Sequence, residues 1–197
     1  MTMIGKSDRL PKFNAKRFDE LVLYIAERTK DDKNFGSIKL AKVLFYSDLE
    51  AYRELGAPIT GAEYQKWEYG PYPPKLEASR QMLKSAGRAR PVKGGGYKAD
   101  RLIPTRVRPA NLQAVGISNE QTAIVDAWIV RVERGSANEI SDASHDHPGY
   151  QMVDENEAIP YQAAFLGEHP PTDDEVSAAI RIAHERGWLV GDKWQRQ

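Results

Sequence analysis

Apolar residues recur at three- and four-residue steps over most of the chain, and this helical spacing is its main regularity. Asn14 is placed to cap a first helix to about Thr29, with Phe18, Leu21, Val22 and Ile25 on one face. After the polar turn 30–36, Ser37 can cap a second helix through about Leu55, in which Leu40, Ala41, Leu44, Phe45, Asp48, Leu49 and Tyr52 form one broad stripe. Gly56 supplies a left-handed stop and Pro58 blocks a restart. A third helix is predicted from about Pro74 to Ala86, with Leu76, Ser79, Met82 and Leu83 inward and Gly87 at its end. Ser118 with Gln121 reads as a capping box opening a fourth helix to about Arg134, with Ile124, Ala127, Trp128 and Arg131 on one side. Ser136 with Glu139 opens a short fifth helix that Pro148 and Gly149 stop, and Thr172 with Glu175 opens a C-terminal helix to Arg186.

Two stretches depart from that spacing. From Ala62 to Glu68 the period falls toward two, with Ala62, Tyr64 and Lys66 on one side and Glu63, Gln65 and Trp67 on the other, which predicts one short strand. The run Tyr69-Gly70-Pro71-Tyr72-Pro73-Pro74 should end it as a rigid corner, because proline removes amide donors. Arg88 to Lys93 and Tyr97 to Ile103, parted by the triple glycine 94–96, read as a hairpin with basic edges. Residues 151–171 are mostly irregular, with Ile159-Pro160-Tyr161 as an anchored turn. The fold class is therefore mainly α (α+β), a compact helical domain with a short strand and a small β-hairpin. The expected organisation is a flexible N-terminus over 1–13, a core domain over 14–162 and a C-terminal linker with an accessory helix over 163–197.

Composition narrows the function. At 197 residues the chain suits one domain with a tail, and its 28 Lys+Arg balance 28 Asp+Glu, so no global positive field draws a polyanion. With no cysteine, disulfides, thiolate zinc sites and cysteine nucleophiles are excluded. No apolar run is long enough to cross a bilayer, and residues 1–11 lack the apolar centre of a signal peptide, so the expected compartment is the cytoplasm, with no membrane partner.

Candidate chemistry is thin. Ser144-His145-Asp146-His147 carries residue types that shuttle protons, but neighbours on a helix end fan outward and do not converge as a triad must. His145 and His147 could bind a metal with Asp142 or Asp154, yet of the four histidines only His169 and His184 remain to complete a shell. The plainer reading places His145 at a helix C-terminus, answering free carbonyls. The triple glycine lacks the Gly-Lys-Ser/Thr ending of a phosphate loop and leads into a strand, so it reads as a hairpin tip. Helices followed by a basic hairpin (Arg88, Arg90, Lys93, Lys98, Arg101, Arg106, Arg108) imitate a winged helix, but the second helix mixes Asp48, Glu50 and Glu54 with Lys39, Lys42 and Arg53 and is not selectively basic. No catalytic residue, metal ligand or cofactor is assigned.

The aromatic set Tyr46, Tyr52, Tyr64, Trp67, Tyr69 and Tyr72 is dense, and aromatics anchor interfaces by burying area at little entropic cost. Tyr46 and Trp67 are expected in the core; Tyr69 and Tyr72, on the proline corner, are expected at the surface. The predicted partner-binding residues are Tyr64, Tyr69, Gly70, Pro71 and Tyr72.

The run Lys39 to Asp48, then Ile59-Thr60-Gly61, Tyr69-Gly70-Pro71, Ser141 to His145 and Ile159 to Tyr161, resembles in order the Panacea domain, or SocA-like antitoxin domain, over about residues 14–162. Ala41-Lys42-Val43 departs from a more leucine-rich run, and Tyr150 stands where the family commonly shows Trp. The resemblance implies an antitoxin of a bacterial or phage toxin–antitoxin pair that neutralises a cognate toxin by direct protein contact, with no enzymatic activity. A winged-helix-like DNA-binding regulator and a His-dependent metalloenzyme stand as alternatives. Nucleic acid is compatible but not favoured as a partner, and homo-oligomerisation is left open.

Overall fold

Helices α1 (Ala15–Arg28) and α2 (Ser37–Leu55) form where the apolar spacing predicts them. The structure is a computed structural model that describes residues 12–93, 100–105 and 109–166. Asn14 caps α1, its side chain accepting from the Arg17 N–H at 3.2 Å. Phe13 packs edge-on against Phe18, with ring centroids 5.6 Å apart. At α2 the expected cap moves by one residue: Gly36 is the N-cap, without a side-chain hydrogen bond, and Ser37 is already helical. Gly56 ends α2 in the left-handed conformation.

The stripe read along α2 is wider than its spacing suggests. Lys39, Lys42, Val43, Ser47 and Asp48 are buried as well as the apolar residues, so α2 is a central helix. It packs against α1, α4 (Asn119–Glu133), α5 (Ala137–His145) and the 3-10 turn Tyr161–Phe165. Helix α3 (Leu76–Ser85) lies on α1 and buries Leu76, Ser79 and Leu83; Met82, expected inward, is exposed. Both capping boxes form, Ser118 with Gln121 and Ser136 with Glu139. The core face of α4 is Val125, Ile129 and Val132, one residue on from the set read on its sequence.

Two small antiparallel sheets complete the fold. Strands β1 (Gln65–Trp67) and β2 (Gly70–Tyr72) pair as Gln65 with Tyr72, Lys66 with Pro71 and Trp67 with Gly70. The expected single strand ending in a rigid corner is thus a hairpin, and the corner is its second strand. Proline is tolerated because Lys66, opposite Pro71, sends its backbone groups the other way: its N–H donates to Glu157 O at 3.0 Å and its carbonyl accepts from Asn156 N at 2.8 Å. Strands β3 (Ala89–Lys93) and β4 (Asp100–Pro104) form the predicted basic hairpin, in register from Ala89 opposite Pro104 to Lys93 opposite Asp100. Pro148 opens a short helix, α6 (Pro148–Gln151), instead of only stopping α5, since a proline at the first helical position sacrifices no hydrogen bond.

The described residues through Phe165 form one packed unit. The tip 94–96 and the helix expected after Thr172 lie outside the described residues. Among the described residues no helix is long and apolar enough to cross a membrane.

Candidate functional site

Alternation along a strand gives the β1–β2 hairpin two different faces. Gln65, Trp67 and Tyr72 share one. The Trp67 indole stacks on the Tyr72 ring at 4.5 Å between centroids and 16° between planes, and its Nε1 donates to Gln65 Oε1 at 3.2 Å. Trp67 is 38% exposed and Tyr69, in the turn, is 41% exposed, so the hairpin presents aromatic surface outward. Trp67, expected in the core, is therefore at the surface; it shares its side of the strand with Glu63 and Gln65, and that polar company was the signal for it. Tyr72 is half-buried beneath Trp67 and donates to Glu77 Oε1 at 3.3 Å; burial first, then the Glu77 charge, raises its phenol above the ordinary range.

The other face is gripped from below. Gly70 and Pro71 are buried. The Lys42 ammonium, inside the protein at 1% exposure, donates to the carbonyl of Tyr69 and to that of Pro71 at 3.2 Å. Those two carbonyls bracket Gly70, whose φ of +87° favours glycine and whose missing side chain leaves the space that Lys42 Nζ and Ser144 Oγ occupy. Burial pushes Lys42 down to about 7. Tyr150 secures the turn, its hydroxyl donating to Trp67 O at 2.9 Å, while the Lys66 ammonium sits 4.8 Å over the Tyr150 ring and donates to Val153 O.

Six residues along α2 from Lys42, Asp48 organises a second buried polar centre. Its Oδ1 accepts from Thr60 N at 2.8 Å; its Oδ2 accepts from the Thr60 hydroxyl and from Tyr64 OH at 2.8 Å, with Tyr161 OH at 3.2 Å. The one Tyr161 hydroxyl proton is shared between Asp48 Oδ2 and the closer Ala62 O at 2.7 Å. Burial raises the Asp48 carboxyl, and the hydrogen bonds from Thr60, Tyr64 and Tyr161 oppose that rise. Tyr64 and Tyr161 are raised as well, by burial and by the neighbouring carboxylate. At 1% exposure Tyr64 is a core residue holding Asp48, and it is not on the surface where a partner could reach it.

Lys42 is what the sequence reading missed, having been counted only among the charges of the helix; Asp48 was read on the apolar stripe and also among those charges, without a role for its carboxylate. Lys39, Lys42 and Asp48 are inside, so these charges are not presented on the surface of α2. The basic hairpin spends part of its charge internally too: Arg88 pairs with Glu20 at 2.6 and 3.0 Å, and Arg101 donates to Lys30 O, while Arg90 and Lys93 are exposed. Lys98, Arg106 and Arg108 lie outside the described residues.

The Ser144 to His147 cluster does not converge. Ser144 is buried and donates to Ser141 O at 2.6 Å; the His145 ring stacks on Tyr150 at 4.8 Å; Asp146 is exposed; His147 Nδ1 accepts from Gly149 N at 3.1 Å and its ring meets the edge of Phe45. His145 does end α5, yet its buried Nε2 has no hydrogen-bond partner among the described residues, so that nitrogen does not answer a free carbonyl there. Among the described residues no three His, Asp or Glu side chains are grouped to hold a metal; His169 and His184 lie outside them. What the hairpin can do is hold a rigid aromatic surface in place.

No curated protein and no solved structure matches the chain. Residues 40–150 match the family described as Antitoxin SocA-like, Panacea domain, a narrower span than 14–162 because α1 and the Ile159–Tyr161 turn fall outside it. The matched span runs from α2 to α6 and holds Lys42 with the β1–β2 hairpin it grips, and Asp48 with Thr60 and Tyr64, while Tyr161 lies beyond it; since the span covers more than half of the chain, the chain belongs to the SocA-like antitoxin, Panacea domain family.

Proposed function

We propose that this chain is the antitoxin of a bacterial or prophage toxin–antitoxin pair and neutralises its cognate toxin by direct protein contact, without catalysis. Family membership supports the general reading. The observation that carries the finer one is the β1–β2 hairpin: Trp67 and Tyr69 exposed on a turn whose underside Lys42 and Tyr150 fix in place. Tyr69 and Tyr72, with Trp67 added, form the contact surface; Gly70 and Pro71 act beneath it by shaping the turn, and Tyr64 acts only through the core. An interface of about 1,600 Å² in total, anchored by these rings, is enough for a stable complex. On this reading the protein works in the cytoplasm, residues 14–162 form the antitoxin domain and 163–197 an accessory tail. Co-expression with the product of the adjacent gene tests it: the expected result is a co-purifying complex and restored growth, and a toxic product that neither binds nor is neutralised rejects it.

A further inference from the structure

The surface around the aromatic stack is acidic, and this bears on what docks there. Gln65 ties the stack to Glu63, donating to its Oε1 at 2.8 Å, and the Tyr72 hydroxyl ties the other end to Glu77. A carboxylate thus stands beyond each end of the Trp67–Tyr72 pair, and Glu68 is exposed in the turn between Trp67 and Tyr69. Along the outer edge of β1, where Gln65 bridges Ala158, the exposed side chains include Asp154, Glu155 and Glu157. The cations nearby are largely committed. Lys66 lies on the opposite face, spent on Val153 O and the Tyr150 ring, and Arg80 is bound to Glu77 at 2.9 Å; Lys75 is the exposed cation of the segment 63–80.

We infer that the partner presents a basic face to this hairpin, with an arginine side chain seated on the Trp67 ring and reaching the Glu63 or Glu68 carboxylate. Tyr72 covers one face of the indole and leaves Trp67 partly exposed. A guanidinium stacks on an aromatic ring while its in-plane donors meet a carboxylate, and it loses less hydration in doing so than an ammonium would. The same carboxylates repel phosphate, which disfavours nucleic acid or an anionic membrane as the occupant of this surface. This inference rests on the antitoxin reading and adds the chemistry of the partner's surface to it.

The test uses the purified product of the adjacent gene and the full chain, with affinity and association rate measured by surface plasmon resonance at about 50 and about 300 mM NaCl. The expected results are an association rate that falls at least about tenfold with salt, and an affinity that falls at least about tenfold for Glu63→Lys with Glu68→Lys, both exposed sites, at unchanged melting temperature. Trp67→Ala should weaken binding by at least about tenfold as well, mainly through faster dissociation. If the wild type binds and rescues growth but salt and the paired charge reversal leave binding unchanged, the inference is overturned and the antitoxin reading stands. If the wild type neither binds nor rescues, the antitoxin reading itself fails.

Discussion

The two hairpins of this protein solve the same problem in different ways. A two-stranded sheet is marginal alone and needs help from outside its ladder. The β3–β4 hairpin has five-residue strands and is held through side chains, with Arg88 at its base on Glu20 and Pro109 O, Arg101 toward its tip on Lys30 O, and Ala89 and Leu102 buried. The β1–β2 hairpin has three-residue strands, too short to rely on pairing, and is held through its backbone: Lys42 takes the carbonyls of Tyr69 and Pro71, Tyr150 takes that of Trp67, and residues 156–157 take both backbone groups of Lys66. Gripping the backbone frees the side chains of the outer face. The shorter sheet is thus the better display.

The largest expected effect comes from cutting the support that reaches furthest. Asp48→Ala strands Thr60 N, the Thr60 hydroxyl and Tyr64 OH in the interior and should cost about 3 to 5 kcal/mol, read as a shift in the urea midpoint. In the other hairpin, Arg88→Ala removes both guanidinium hydrogen bonds to Glu20 and should cost about 2 kcal/mol. If Arg88→Ala proves as costly as Asp48→Ala, the contrast between local side-chain bracing and a shared internal centre collapses.

A subtler probe of the backbone grip is pH. Lys42 is pushed from 10.5 down to about 7 in the folded protein, so between these values the unfolded chain holds the extra proton. The cost of burying the charge is fully present below about 7 and is relieved as pH rises toward 10.5, so stability should increase across that window. Lys42→Met, which removes the titration, should flatten this slope in urea melts taken at several pH values; an unchanged slope would assign it to other groups. The smallest effect on stability is expected for Tyr69→Ala, within about 0.5 kcal/mol by thermal melting, with partner binding nonetheless weakened at least about tenfold. Tyr72→Ala should not behave this way, because its ring is stacked and half-buried; the surface position expected for it from the proline run is only half correct.

Much of the fold was legible because helices announce themselves by period and caps. Asn14, Ser118 with Gln121, and Ser136 with Glu139 act where the sequence places them. The site was less legible because its decisive residues act across distance in the chain. Nothing near Gly70 says that Lys42 lies under it, and a lysine in a helix is ordinarily read as solvated. The signal was there in composition: 40–45 is apolar at every position but Lys42, so a charge in that run has few ways to reach water. Likewise Asp48, one turn on from Leu44 in the apolar stripe, marks a carboxylate taken inside. The hairpin was misread as a corner because prolines were weighed without register, and Pro71 stands at a position that needs no donor.

The grip of Lys42 on the carbonyls of Tyr69 and Pro71 has a consequence for how such a protein can diversify. Since the contact is made to main-chain oxygen, it is indifferent to which side chains the turn carries above it. On the proposed antitoxin reading, substitutions at 67, 68 and 69 retune what is recognised while the mount beneath keeps its shape, so a lineage built on this architecture changes adversaries without having to refold.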